Sequence, residues 1–190
     1  AQKPVKMSTL YKAASTAIKN ASGQDGARNN LMNALQRTDL KDKDRAEIYY
    51  TTAKLYESTN SVENRKAYLK QKYDTALFFN SLLNMYEQLR LCDSVDATPN
   101  AQEKIRLKYA KKTRELRQKH IRNILNGGKF FLYKGNYASA YDFLDDYYTY
   151  ASNRQDTLLP KLAYQAALCG YLTSHPAHTL KYIDKAIESA

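Results

Sequence analysis

Met7, Leu10, Tyr11, Ala14, Ala17 and Ile18 fall three and four residues apart. That spacing lays one apolar stripe along a helix from about Lys6 to Ala21. Ser22-Gly23-Gln24-Asp25-Gly26 reads as a turn. Leu31, Met32, Ala34 and Leu35 then form the inner side of a shorter helix. Thr38-Asp39-Leu40-Lys41-Asp42 breaks the pattern and offers side-chain oxygens for the next helix start. Ala46, Tyr49, Tyr50, Ala53, Leu55 and Tyr56 predict a third helix, ended by Ser58-Thr59-Asn60-Ser61. From Val62 to Val95 there is neither Gly nor Pro, and Tyr68, Leu69, Tyr73, Leu77, Phe78, Leu82, Met85, Tyr86, Leu89 and Cys92 hold a helical period. Asp74-Thr75 reads as a cap that splits this run in two, and Asp96-Ala97-Thr98-Pro99-Asn100 as a loop and candidate hinge. The same period continues to the C-terminal end. The predicted fold is all-α, built of stacked antiparallel helical hairpins. N-terminal hairpins occupy 1–98, and a basic helix with further hairpins occupies 99–190, as one continuous array.

Periodic helices of similar length joined by short polar turns call for a search for internal repeats. In the last third, Ile124, Gly128, Phe131, Gly135, Tyr137, Ala140, Leu144 and Tyr147 form such a unit. Gly128 and Ala140 are small where two antiparallel helices would touch. Gly135-Asn136 supplies a left-handed turn between them. Phe131 and Tyr137 are placed to fill the wedge at the open end of the hairpin. The pattern resembles the tetratricopeptide repeat (TPR) and departs from it at Tyr147, where that family prefers Ala. A second, weaker unit uses Ala163, Ala167, Gly170 and Tyr171, a turn at Ser174-His175-Pro176, then Leu180, Ile183 and Ala186, with Thr179 where Ala is usual. A third, degenerate unit would combine Tyr49, Ala53 and Tyr56 with Leu69. The resemblance is carried by residues 122–190 and implies a right-handed superhelix whose concave face holds a peptide or helix of a partner protein. TPR arrays close on a polar-faced helix, whereas the last helix here carries Leu180, Tyr182, Ile183, Ala186 and Ile187. The expectation is that the array continues or that this face docks a partner or a second copy.

Composition narrows the classes. The chain has 190 residues, 43% of them hydrophobic, which is too apolar for a disordered chain. Six Gly and four Pro are too few for an all-β chain. No apolar run is long enough to span a membrane. A start at Ala1-Gln2 suits a leader cut after a small residue, and an artificial start equally; the expectation taken is export, to the periplasm or otherwise outside the cytoplasm. Cys92 and Cys169 form no CxxC pair and read as small apolar packers, with a disulfide as the alternative.

The net charge of +11 is concentrated. Residues 101–135 hold 11 basic and 2 acidic side chains. Lys104, Arg106, Lys108, Lys111, Lys112, Arg114, Arg117, Lys119 and Arg122 would cover a helix whose inner stripe is Ile105, Tyr109, Leu116, Ile121 and Ile124. That surface reads as a solvated face, with an acidic protein partner next and nucleic acid or anionic lipid after it. His120 reads as exposed. Asp142, Asp145 and Asp146 read as a solvated acidic face rather than an acid–base pair. His175 and His178 flank Pro176 with no third ligand nearby, so no metal is assigned. No phosphate-binding loop, nucleophile elbow or zinc-protease motif is present, so no catalytic residue and no cofactor is assigned.

The function expected is therefore non-catalytic binding of a protein or peptide partner. Tyr133, Tyr141 and Tyr148 are the candidate groove residues, since tyrosine joins a large apolar face to a polar tip. Lys108, Lys112 and Arg117 are the candidate contacts for an acidic partner. Two alternatives stay open: an exported sensor or ligand-binding region of a larger bacterial regulator, and nucleic-acid or anionic-surface binding through residues 101–122.

Overall fold

The computed structural model describes residues 3–188. It is all-helical, with no strand among the described residues. The described residues form eight helices in order: α1 Met7–Asn20, α2 Gln24–Ala34, α3 Asp42–Tyr68, α4 Thr75–Asp96, α5 Ala110–Tyr133, α6 Tyr137–Tyr150, α7 Leu159–Leu172 and α8 Pro176–Glu188. The chain divides into two compact units, Ala1–Glu115 and Leu116–Ala190. The division falls inside α5, beyond the break read at 98/99, so residues 99–115 belong with the first unit.

In the first unit, Ala14 and Ala17 of α1 pack with Leu31 and Ala34 of α2 and with Ile48 and Leu55 of α3. Helix α3 runs 27 residues, straight through Ser58-Thr59-Asn60-Ser61, where the sequence predicts an end. Ser, Thr and Asn lose only a few tenths of a kcal/mol in a helix, and here their polar atoms are satisfied. Asn60, buried, donates Nδ2 to the Phe78 carbonyl of α4 at 2.8 Å. Thr59 bonds back to the Leu55 carbonyl, and Ser58 accepts from Gln24. The α3–α4 turn is fastened by Glu63, which accepts from the Asp74 amide at 2.8 Å and from Lys66 at 2.7 Å. Asp74 caps α4 through the Leu77 amide, as its position predicts. Tyr68, Leu69 and Tyr73 sit at this turn and are exposed, not in the core. Leu69 therefore does not join Ala53 in a packed unit.

Residues 101–109 are not helical. Two side chains take their amides first. Asn100 Oδ1 accepts from Gln102 and Lys104 at 2.9 and 3.0 Å, and Asp96 accepts from Lys108 and Tyr109 at 3.0 and 2.8 Å. Such local side-chain acceptors compete directly with a helix. Lys104-Ile105-Arg106-Leu107-Lys108 is accordingly a non-helical strap, and Ile105 lies outside rather than on an inner stripe.

One turn geometry recurs at the end of α1, α3, α5 and α7. The residue in the left-handed region is Ala21 (φ 50°), Lys70 (57°), Gly135 (72°) and Ser174 (58°). In each case the next amide reaches back to a carbonyl five residues earlier: Ser22 to Ala17, Gln71 to Lys66, Asn136 to Phe131 and His175 to Gly170. This is the Schellman closure of a helix, which satisfies carbonyls left open at its end.

The second unit is organised by small residues. A Cβ at Gly128 would sit 3.0 Å from Leu144, and one at Gly127 would sit 2.6 Å from the Phe143 ring. Ala140 is fully buried, Ile124 and Leu144 with it. Phe131 is buried and stacks on Phe143 with centroids 5.4 Å apart. Tyr137 is half-exposed, so the hairpin wedge is filled by Phe131 and Phe143. Gly170 lies so close to α8 that a Cβ would be 2.6 Å from the Thr179 amide nitrogen. Ala186 is half-buried on α8. Cys92 and Cys169 are both buried free thiols; burial pushes the Cys169 thiol up to about 11.

Candidate functional site

Helix α7 buries Leu162, Ala163, Ala166, Ala167, Cys169 and Gly170. Its other side is not polar. Tyr164, Leu168 and Tyr171 follow at spacings of four and three, with Leu172 beside them, and all four are exposed. Helix α8 repeats the arrangement. Tyr182 faces inward at 0% exposure, while Leu180, Ile183 and Ile187 face solvent at 68%, 41% and 67%. The two stripes meet at the α7–α8 turn around a shallow depression of about 420 Å³, which Tyr171, Pro176 and Leu180 help to line. Seven large apolar side chains are thus exposed on one helical pair, and exposed apolar area of this kind marks interaction sites where it is contiguous.

Behind this surface, α6 and α8 are joined by a run of rings. His175 stacks on His178 at 4.9 Å, and His178 on Tyr141 at 3.9 Å with planes nearly parallel. Tyr141 and Tyr148 each meet Tyr182 edge-on, at 5.9 and 5.2 Å. Asp145 holds the two helices together by accepting from Lys181 at 2.6 Å and from the Tyr182 hydroxyl. Burial, then hydrogen bonding to Asp145, drives the Tyr182 phenol well above its ordinary range. Burial likewise raises the Asp142 carboxyl, with His178 opposing and Asp145 adding to the rise. Lys185 lies over Tyr148 and Tyr182, and Arg154 over Tyr148. Among the described residues, no group of three or more His, Cys, Asp or Glu is placed to hold a metal ion.

The residues singled out from sequence therefore separate. Tyr133 is 87% exposed on α5 and free to meet a partner. Tyr141 is 4% exposed and Tyr148 half-buried, so they serve as α6–α8 packing rather than as groove contacts. Arg117 is buried, its guanidinium lying 4.2 Å over the Tyr150 ring, and is not a surface charge. His120 is buried as well. Lys112 is exposed and lies over the tilted Tyr50–Tyr109 pair. Burial, then the Glu47 charge, pushes the Tyr109 phenol up to about 12. Lys108 is exposed on the strap. Sequence reading missed Tyr164, Leu168 and Leu172. Their signal was present, since α7 is apolar nearly all round, which is what a helix covered on more than one side looks like.

No protein-family model matches the chain, and neither a curated protein nor a solved structure matches it.

Proposed function

We propose that this protein is a TPR-like helical scaffold that binds a protein or peptide partner and carries no catalysis of its own. The observation that carries the reading is the apolar surface of α7 and α8. Two further features support it. The α5–α6 and α7–α8 hairpins close with the same turn, so that Phe131 corresponds to Gly170, Gly135 to Ser174, Ala140 to Thr179 and Leu144 to Ile183. Each hairpin also has a close helix–helix approach at a glycine, Gly128 in one and Gly170 in the other, at positions that do not correspond. Such a surface suits an amphipathic helix laid along it, reading apolar positions at helical spacing. Burying one Leu or Ile there contributes about 1.5–3 kcal/mol.

The test is selection of peptides from a displayed random library on the full chain, followed by affinity measurement. Peptides selected on the wild type should weaken at least about tenfold against Leu168→Asp and Leu180→Asp, roughly 1.4 kcal/mol per decade. Far-UV circular dichroism of both variants should match the wild type, because both side chains are outside the core. Selection that yields no binders, or binders indifferent to both substitutions, would refute the reading.

A further inference from the structure

The alternation in Lys104-Ile105-Arg106-Leu107-Lys108 sorts charge from apolar side chains. Lys104, Arg106 and Lys108 line one pocket of about 260 Å³, and Lys43 from the first turn of α3 joins them. Ile105 and Leu107 are not part of its lining. The strap that carries the three cations is fixed at both ends. Asn100 N–H donates to the Lys104 carbonyl at 3.0 Å, and Asp96 holds the amides of Lys108 and Tyr109. Among the described residues, none of the four cations is in an ion pair. Two carboxylates, Asp42 and Asp96, share the lining, and Asp96 already accepts from two backbone amides. Cations outnumber carboxylates four to two in one small concavity.

Like charges held together repel unless an anion joins them. A single carboxylate would leave the pocket positive, whereas a dianion matches its excess. Lysine ammonium groups serve phosphate as point charges, and arginine adds a planar fork that fits two oxygens. We propose that this pocket binds a phosphate-class dianion, held by Lys43, Lys104, Arg106 and Lys108. The same chemistry is offered by free phosphate, by a small phosphate monoester and by a phosphomonoester lipid headgroup. The inference concerns the first compact unit alone and is independent of partner binding by α7 and α8.

Titration of the full chain with sodium phosphate, followed by amide proton–nitrogen spectra at constant ionic strength, tests it. Saturable shifts are expected at Lys43 and across 104–109, absent from a matched sodium chloride series. Arg106→Glu combined with Lys108→Glu should weaken the affinity at least tenfold, with the dispersed spectrum of the folded chain retained. Co-sedimentation with phosphatidylcholine vesicles, with and without phosphatidic acid, separates the sources. Phosphate saturation without vesicle binding assigns a soluble ligand. Vesicle binding that requires phosphatidic acid and is competed by phosphate assigns a lipid headgroup. Shifts that stay linear and equal those in chloride, with no vesicle binding, overturn the proposal. Equal affinity of the double variant overturns it as well.

Discussion

Gly170→Ala tests how closely α7 and α8 are seated. The added methyl would meet the Thr179 amide nitrogen at 2.6 Å, His178 Cβ at 2.8 Å and Thr179 Oγ1 at 2.9 Å. Ordinary contact begins near 3.4 Å, so α8 must retreat by several tenths of an ångström. The nearest atom is backbone, so no rotamer change relieves it. Overpacking of this kind costs about 1–3 kcal/mol. Replacing a helical Gly by Ala returns at most about 1 kcal/mol through propensity. With backbone in the way the cost lies at the upper end of that range, about 2–3 kcal/mol, so the net expectation is a loss of about 1–2 kcal/mol. The retreat would also stretch the stack of His178 on Tyr141 and the Asp145–Tyr182 bond. Two other glycines bracket the result. Gly128→Ala meets only the Leu144 side chain closely, Cδ2 at 3.0 Å and Cγ at 3.3 Å, and should change stability by less than about 1 kcal/mol. Gly26→Ala, on α2 with nothing within 4 Å, should stabilise by about 0.5–1 kcal/mol. Urea unfolding followed by circular dichroism, with tyrosine fluorescence as second probe, measures all three; the chain has 17 Tyr and no Trp. Gly170→Ala as stable as wild type, or more so, would refute the argument that this glycine exists to seat α8.

Lys70→Gly and Ser174→Gly should each raise stability by up to about 1 kcal/mol, because a left-handed conformation costs an L-residue about 1–2 kcal/mol and glycine little, less the entropy glycine adds to the unfolded chain; thermal unfolding checks it, and a lower midpoint for both would contradict the turn geometry. Glu63 is held below the ordinary carboxylate range, first by the Lys66 hydrogen bond and then by the Asp74 amide. A depressed native pKa gives stability that is present above the unfolded value and lost as pH falls through the native one. Glu63→Gln should therefore flatten the loss of stability below about pH 4.5, seen by urea midpoints across acid pH; an unchanged acid profile would count against this role.

Much of the helical framework is legible in the chain because burial writes its own period. Ala14 and Ala17 on the stripe of α1, Leu31 on that of α2, and Leu82, Met85 and Leu89 on that of α4 are inward in both the pattern and the structure. The Asp74 cap and the Gly135-Asn136 turn are local events, decided within four residues, and read correctly for that reason. Turns are also signalled after α1, at Ser22-Gly23, and after α7, at Ser174-His175-Pro176, whereas the left-handed turn at Lys70 carries no glycine to announce it. Partnership across space was not legible. Asn60 looks like a helix breaker until the Phe78 carbonyl arrives to meet it. Arg117 looks like a surface charge until Tyr150 lies beneath it. Tyr141 looks like a groove residue until His178 stacks on it. The strap at 104–108 reads from its basic composition as part of a helix face, and it is not helical. Backbone amides donating to the side-chain oxygens of Asp96 and Asn100 settled it. The sequence by itself determined that this chain is helical, where most helices lie and where its charge gathers, because those follow from spacing along the chain. Tertiary structure alone decided which polar groups are buried, which apolar ones are left facing water and which cations share a pocket, because each depends on a partner that is remote in sequence.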